Sequence, residues 1–124
     1  MRFIVMVRAT KTSESGAMPD PELIAEMGRF NDELINAGVL LAAEGLQPSS
    51  KGARVRFSAN DRRTVVDGPF PETKELIAGF WIWKVASKDE ALKWLARCPH
   101  PFPGEDGEIE IRQVFEAEDF EARR

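Results

Sequence analysis

Two short stretches, "RFIVMV" at residues 2–7 and "GFWIWKV" at residues 79–85, constrain this chain more than any other feature. In a strand, successive side chains point to opposite faces. Phe3, Val5 and Val7 therefore oppose Ile4 and Met6, while Trp81, Trp83 and Val85 oppose Phe80 and Ile82. Both stretches are apolar on both faces, and such strands belong in the middle of a sheet with each face covered. Any fold for this chain must supply two covers.

The remaining elements follow from capping and periodicity. Asp20, Pro21 and Glu22 are a helix start, and Leu23, Met27, Phe30 and Leu34 form an apolar stripe that Gly38 ends. "VLLAAEGL" reads as a short strand, and "ARVRFS" and "NDRRTVVDG" as a hairpin turning at Asn60-Asp61. "ETKELIAG" holds a helical turn before the second apolar strand. "SKDE" then opens a second helix at about Lys88, with Ser87 as cap, and Pro99 closes it. "GEIEIRQVF" is the last strand, while "RATKTSESG" near the start is polar and aperiodic. Residues 116–124 read as a charged tail with only Phe120 to dock it. One domain over residues 1–124 is expected.

Strand, helix, strand, hairpin, strand, helix, strand is an α+β order: the ferredoxin-like split βαβ plan with an inserted β-hairpin. Right-handed crossovers put both helices on one face of the sheet. The other face then needs another layer, and a second copy of the chain supplies it as a dimeric α/β barrel. Trp81 and Trp83 are assigned to that uncovered face and hence to the dimer interface.

With 43% apolar and 31% charged residues, the chain is too apolar to be disordered and too interrupted to span a bilayer. A net charge of −4 argues against a direct grip on nucleic acid, which needs clustered cations. The N-terminal apolar run is too short for a signal peptide, so a cytoplasmic location is expected. One cysteine forms no internal disulfide, and one Cys with one His is too few for a His/Cys metal site. No metal or other cofactor is expected.

"DGPF" at Asp67–Phe70, the following "PETKELIAGF", the "SKDEALKWLARCP" helix, the closing "GEIEIRQV" and "NDELINAGVLLAAEGLQP" in the first half resemble the DGPF group of the YCII-related family. The resemblance implies a dimeric α/β-barrel, ferredoxin-like fold and, through relatives associated with extracytoplasmic-function sigma factors, a regulatory partner of that type. YCII-type relatives carry a His in the first helix and an Asp after the second, a proposed catalytic pair. Here the first helix holds Phe30 in that neighbourhood and no His, and Cys98 stands where the Asp would precede Pro99. That pair does not carry over.

The candidate chemistry gathers at the DGPF turn. Pro69 and Pro71 stiffen the path out of the strand, so Asp67 reads either as a turn carboxylate taking backbone N–H bonds or as a strand-end carboxylate facing a pocket. On the second reading Asp67 is the catalytic candidate for cofactor-free proton transfer. Asp67, Phe70, Lys74, Glu110 and Arg112 are the candidate ligand-binding residues, with Arg112 offering a planar fork to an anion. The expected ligand is a small polar or anionic molecule; a purely structural dimer is the remaining alternative. Cys98 lies at a helix C-terminus, whose negative end disfavours a thiolate, so neither it nor His100 reads as catalytic.

Overall fold

The computed structural model describes residues 1–121 and shows an α+β fold. Strands β1 (Arg2–Arg8), β2 (Leu40–Gly45), β5 (Ile77–Lys84) and β6 (Ile109–Gln113) form an antiparallel sheet in the order β2-β5-β1-β6. That order agrees with the ferredoxin-like plan, and the two strands that are apolar on both faces are the central ones. Strands β3 (Ala53–Phe57) and β4 (Arg63–Asp67) pair only with each other. Among the described residues the sheet does not close into a barrel. No helix there is long and apolar enough to cross a membrane.

Helix α2 (Pro21–Asn36) has the expected ends. The Asp20 carboxylate accepts the Glu22 N–H at 2.8 Å. At the other end Gly38, at φ 72°, donates to the Ile35 carbonyl and Val39 donates to that of Leu34. These two bonds satisfy carbonyls that the helix end would otherwise orphan. Helix α3 (Lys88–Leu95) starts at Ser87, whose hydroxyl accepts the Glu90 N–H at 3.1 Å. The Glu90 carboxylate in return takes the N–H of Ala86, one residue before the cap.

Several local readings change. The stretch read as aperiodic contains a helical turn, α1 (Lys11–Glu14), because Thr10 and Ser13 cap each other reciprocally. The hairpin turns through residues 58–62, with Asp61 left-handed at φ 64°, rather than at a two-residue Asn-Asp turn. In the segment read as a tail, Ala117–Glu121 form a short helix, α4, and Phe120 packs on Phe115 with ring centroids 5.0 Å apart. Glu116 clasps Arg2 through two hydrogen bonds of 2.9 and 3.1 Å, which hold its carboxyl below the usual carboxylate range. Residues 122–124 of that tail lie outside the described residues.

The main correction concerns the two faces of the sheet. Trp81 and Trp83 were assigned to the face that the helices leave bare; they lie on the face that the helices cover. Phe30 of α2 meets both indoles edge-on, at 6.0 and 6.2 Å between centroids, and meets Trp94 of α3 at 6.4 Å. The Trp81 Nε1–H donates to the Asn31 side chain of α2 at 2.8 Å. Trp83 is fully buried with Val5 and Leu34, and Phe3, Val7, Val85 and Ala91 complete the core. Residue alternation separates two faces without saying which one the helices meet. The decision falls to volume: between sheet and helices, where Phe30 and Trp94 also pack, indole rings fill the space better than Ile and Met. Ile4, Met6, Phe80 and Ile82, all half-buried, therefore make the bare face.

Candidate functional site: a cleft at the DGPF turn

Beyond the end of β1 and the start of β5, the DGPF turn borders an open cleft of about 510 Å³. Its apolar lining is Met6, Leu46, Phe70, Leu76 and Ile77. Its polar lining is Arg8, Glu14, Gln47, Ser49, Arg54 and Glu75. Met6 belongs both to this cleft and to the bare sheet face, so the two surfaces are continuous.

The turn is held by close backbone packing. The Gly68 N–H donates to the Gly52 carbonyl at 3.0 Å, and a Cβ on Gly68 would stand 1.8 Å from the Ser49 carbonyl oxygen. Only glycine fits there, because the obstacle is backbone and cannot swing away. The Phe70 N–H then donates to the Ser49 hydroxyl at 3.0 Å. Ser49 is itself anchored to α1: its N–H donates to Glu14 Oε2 at 2.9 Å and its hydroxyl to Glu14 Oε1. One carboxylate thus fastens the 49–51 turn, and through it the DGPF turn, to the start of the chain. Ser49 with Glu14 has the outline of a nucleophile and a base. The Phe70 N–H, however, takes up a lone pair of the Ser49 oxygen, so the pair acts as a fastening.

On the outer side Arg54, from β3, lays its guanidinium over the Phe70 ring, 3.9 Å from the centroid. This stacking fixes the group at the cleft wall and keeps its N–H edge available for a carboxylate. Arg8 is more committed: it donates to the Lys74 carbonyl and lies 3.7 Å from Glu110.

The sequence-derived residues divide around this geometry. Phe70 lines the cleft. Asp67 ends β4 opposite Ala53, is exposed, is absent from the lining and has no side-chain hydrogen bond or ion pair among the described residues. Neither the turn reading nor the pocket reading describes its carboxylate. Lys74 is exposed and brings its backbone carbonyl, not its ammonium, toward the cleft. Glu110 and Arg112 stand on the bare face of edge strand β6, opposite Met6 and Ile4 and 3.8 Å from each other. Arg112 keeps 72% of its side chain exposed.

Sequence reading missed Arg8, Glu14, Ser49 and Arg54. The signal for Arg54 was present in "ARVRF", where alternation puts Arg54 and Arg56 opposite Val55 and Phe57; Arg54 is half-buried while Val55 and Phe57 face solvent. Nothing local marks Glu14, whose partner is 35 residues away.

On the helix side, Cys98 is half-buried and donates to the Pro99 carbonyl; burial pushes its thiol up to about 11. His100 Nδ1 accepts the Phe102 N–H at 2.9 Å, a loop-shaping bond. Among the described residues no cluster of His, Cys, Asp and Glu could hold a metal ion.

A family model described as the YCII-related domain matches residues 1–118 of this chain. An uncharacterized protein of Rhizobium meliloti (strain 1021) is 33% identical over 103 residues, covering 83% of this chain and 82% of the relative.

Proposed function

The chain belongs to the YCII-related domain family, and on that premise we propose that it binds a small molecule with an anionic end and an apolar body in the cleft at the DGPF turn. The observation that carries this is Arg54: a guanidinium stacked on Phe70, facing an apolar floor, with no carboxylate partner among the described residues. Arg offers a carboxylate two parallel N–H donors, and Met6, Leu76 and Ile77 offer the rest of the ligand a surface away from water.

The bare sheet face belongs to the same proposal. A second copy laid over Ile4, Met6, Phe80 and Ile82 would form the dimeric barrel and roof the cleft from the Met6 side. A sigma-factor-type regulatory partner would sense this occupied, roofed state. Proton transfer at Asp67 is not carried forward, because its carboxylate stands outside the cleft lining.

Titration calorimetry with 3-phenylpropionate, an apolar body bearing one carboxylate, tests the proposal. Binding by the wild type that weakens at least tenfold, about 1.4 kcal/mol, in Arg54→Ala supports it. Equal binding by Arg54→Ala would overturn it, and so would failure of the wild type to bind both this probe and its ammonium-bearing analogue L-phenylalanine.

A further inference from the structure

The charges in the cleft do not all remain free for a ligand. Both oxygens of Glu14 are engaged by Ser49, and the Ser49 hydroxyl is shared between Glu14 and the Phe70 N–H. Arg8 is turned to the Lys74 carbonyl and to Glu110. What remains is one guanidinium, Arg54, and one carboxylate, Glu75. Among the described residues neither has an ion-pair partner, and they are not paired with each other.

A purely anionic ligand would satisfy Arg54 but bring its charge into a cleft that also holds an uncompensated Glu75. Like charges side by side at an open cleft repel, and an opposite charge on the ligand turns that repulsion into attraction. The complement of one free cation, one free anion and an apolar floor is a zwitterion with an apolar side chain.

Resting on the cleft reading above, we infer that the ligand is an apolar amino acid or a closely related ammonium carboxylate. Its carboxylate meets Arg54, its ammonium meets Glu75, and its side chain lies on Met6, Leu76 and Ile77. The cleft volume of about 510 Å³ accommodates a side chain as large as a benzyl group. Gln47, the other lining side chain without a hydrogen-bond partner among the described residues, offers both a donor and an acceptor to either end.

The probes are L-phenylalanine, 3-phenylpropionate, which lacks the ammonium, and phenethylamine, which lacks the carboxylate, titrated against wild type and Glu75→Gln. The expected result is that phenylalanine binds at least tenfold tighter than either truncated probe. Glu75→Gln should remove that advantage while leaving 3-phenylpropionate affinity equal or improved. Wild type binding 3-phenylpropionate as tightly as phenylalanine overturns the zwitterion and leaves the anion-binding cleft standing. Phenylalanine keeping its full advantage in Glu75→Gln also overturns it. Failure of all three probes to bind overturns the cleft reading and this inference with it. Glu75 is exposed on a short 3₁₀ turn, so the substitution leaves the fold intact, and the thermal melt of the variant checks this.

Discussion

The two faces of the central sheet are made of similarly apolar residues and behave differently. On one, Trp83 has no exposed surface and Trp81 only 6%, because α2 and α3 lie over them. On the other, Ile4, Met6, Phe80 and Ile82 pair across β1 and β5 as Ile4 with Ile82 and Met6 with Phe80, and all four stay only half-buried. Apolar character alone therefore does not identify a core. The covered face holds the core; the bare face, joined to the cleft through Met6, is where the proposed interaction would take place.

The largest contrast should appear on truncation. Trp83→Ala is expected to cost about 3–5 kcal/mol in denaturant unfolding, the loss typical of a buried large aromatic. Ile82→Ala, one residue away but on the bare face, should cost about 1 kcal/mol or less in dilute solution, where no second copy covers it. Equal losses would erase the distinction between the faces. The indole Nε1–H of Trp83 is buried without a partner among the described residues, so part of what its packing contributes is spent on that unpaired donor.

The turn that walls the cleft comes next. Gly68→Ala puts a Cβ against the Ser49 backbone and is expected to cost about 1–3 kcal/mol, as overpacking does. Because Phe70 is fastened through Ser49, cleft ligands should be lost together with stability. A wild-type melting curve for this variant would show that the turn does not pack as described.

A smaller effect concerns association. Ile82→Glu leaves the core untouched and inserts a charge into the bare face. It should weaken self-association at least tenfold in sedimentation velocity, about 1.4 kcal/mol, while the melt at low concentration stays within about 1 kcal/mol of wild type. A wild type that stays monomeric at high concentration would remove the proposed second layer.

The smallest effect lies on the covered side, in the Cys98 thiol that packs against the core. Burial raises its pKa from 9.0 to about 11, so the folded state disfavours the thiolate. The unfolded thiol ionises first as pH rises. The contribution of this group is therefore fully present below pH 9 and is lost progressively toward pH 11. Alkylation should be slow at neutral pH and accelerate only across that window; rapid labelling at pH 7 would mean the thiol is not buried.

How much of this was legible in the sequence depends on the range of the forces involved. Helix ends at Asp20, Gly38 and Ser87 were legible because each cap is satisfied within a few residues. The central placement of β1 and β5 was legible because both carry apolar residues on both faces. Which face the helices meet was not, since that depends on how Phe30, Trp81, Trp83 and Trp94 fill the space between layers. At the cleft, Phe70 could be read from the rigid turn that carries it. Glu14 and Ser49 could not, because their contact joins segments distant in sequence, and Asp67 drew attention by its motif while it is exposed and absent from the cleft lining.

On the proposed reading the cleft and the bare face form one interaction surface, separate from the helix-covered core. Met6 sits on that surface, Met27 packs against the core, and Met18 is exposed to solvent. Methyl-labelled methionine spectra recorded while L-phenylalanine or 3-phenylpropionate is added report on all three at once. The Met6 methyl is expected to shift in a saturable manner with whichever ligand binds, while Met27 and Met18 stay in place. A shift at Met27 with Met6 unmoved would put the ligand on the helix side of the sheet and overturn the cleft as the binding site.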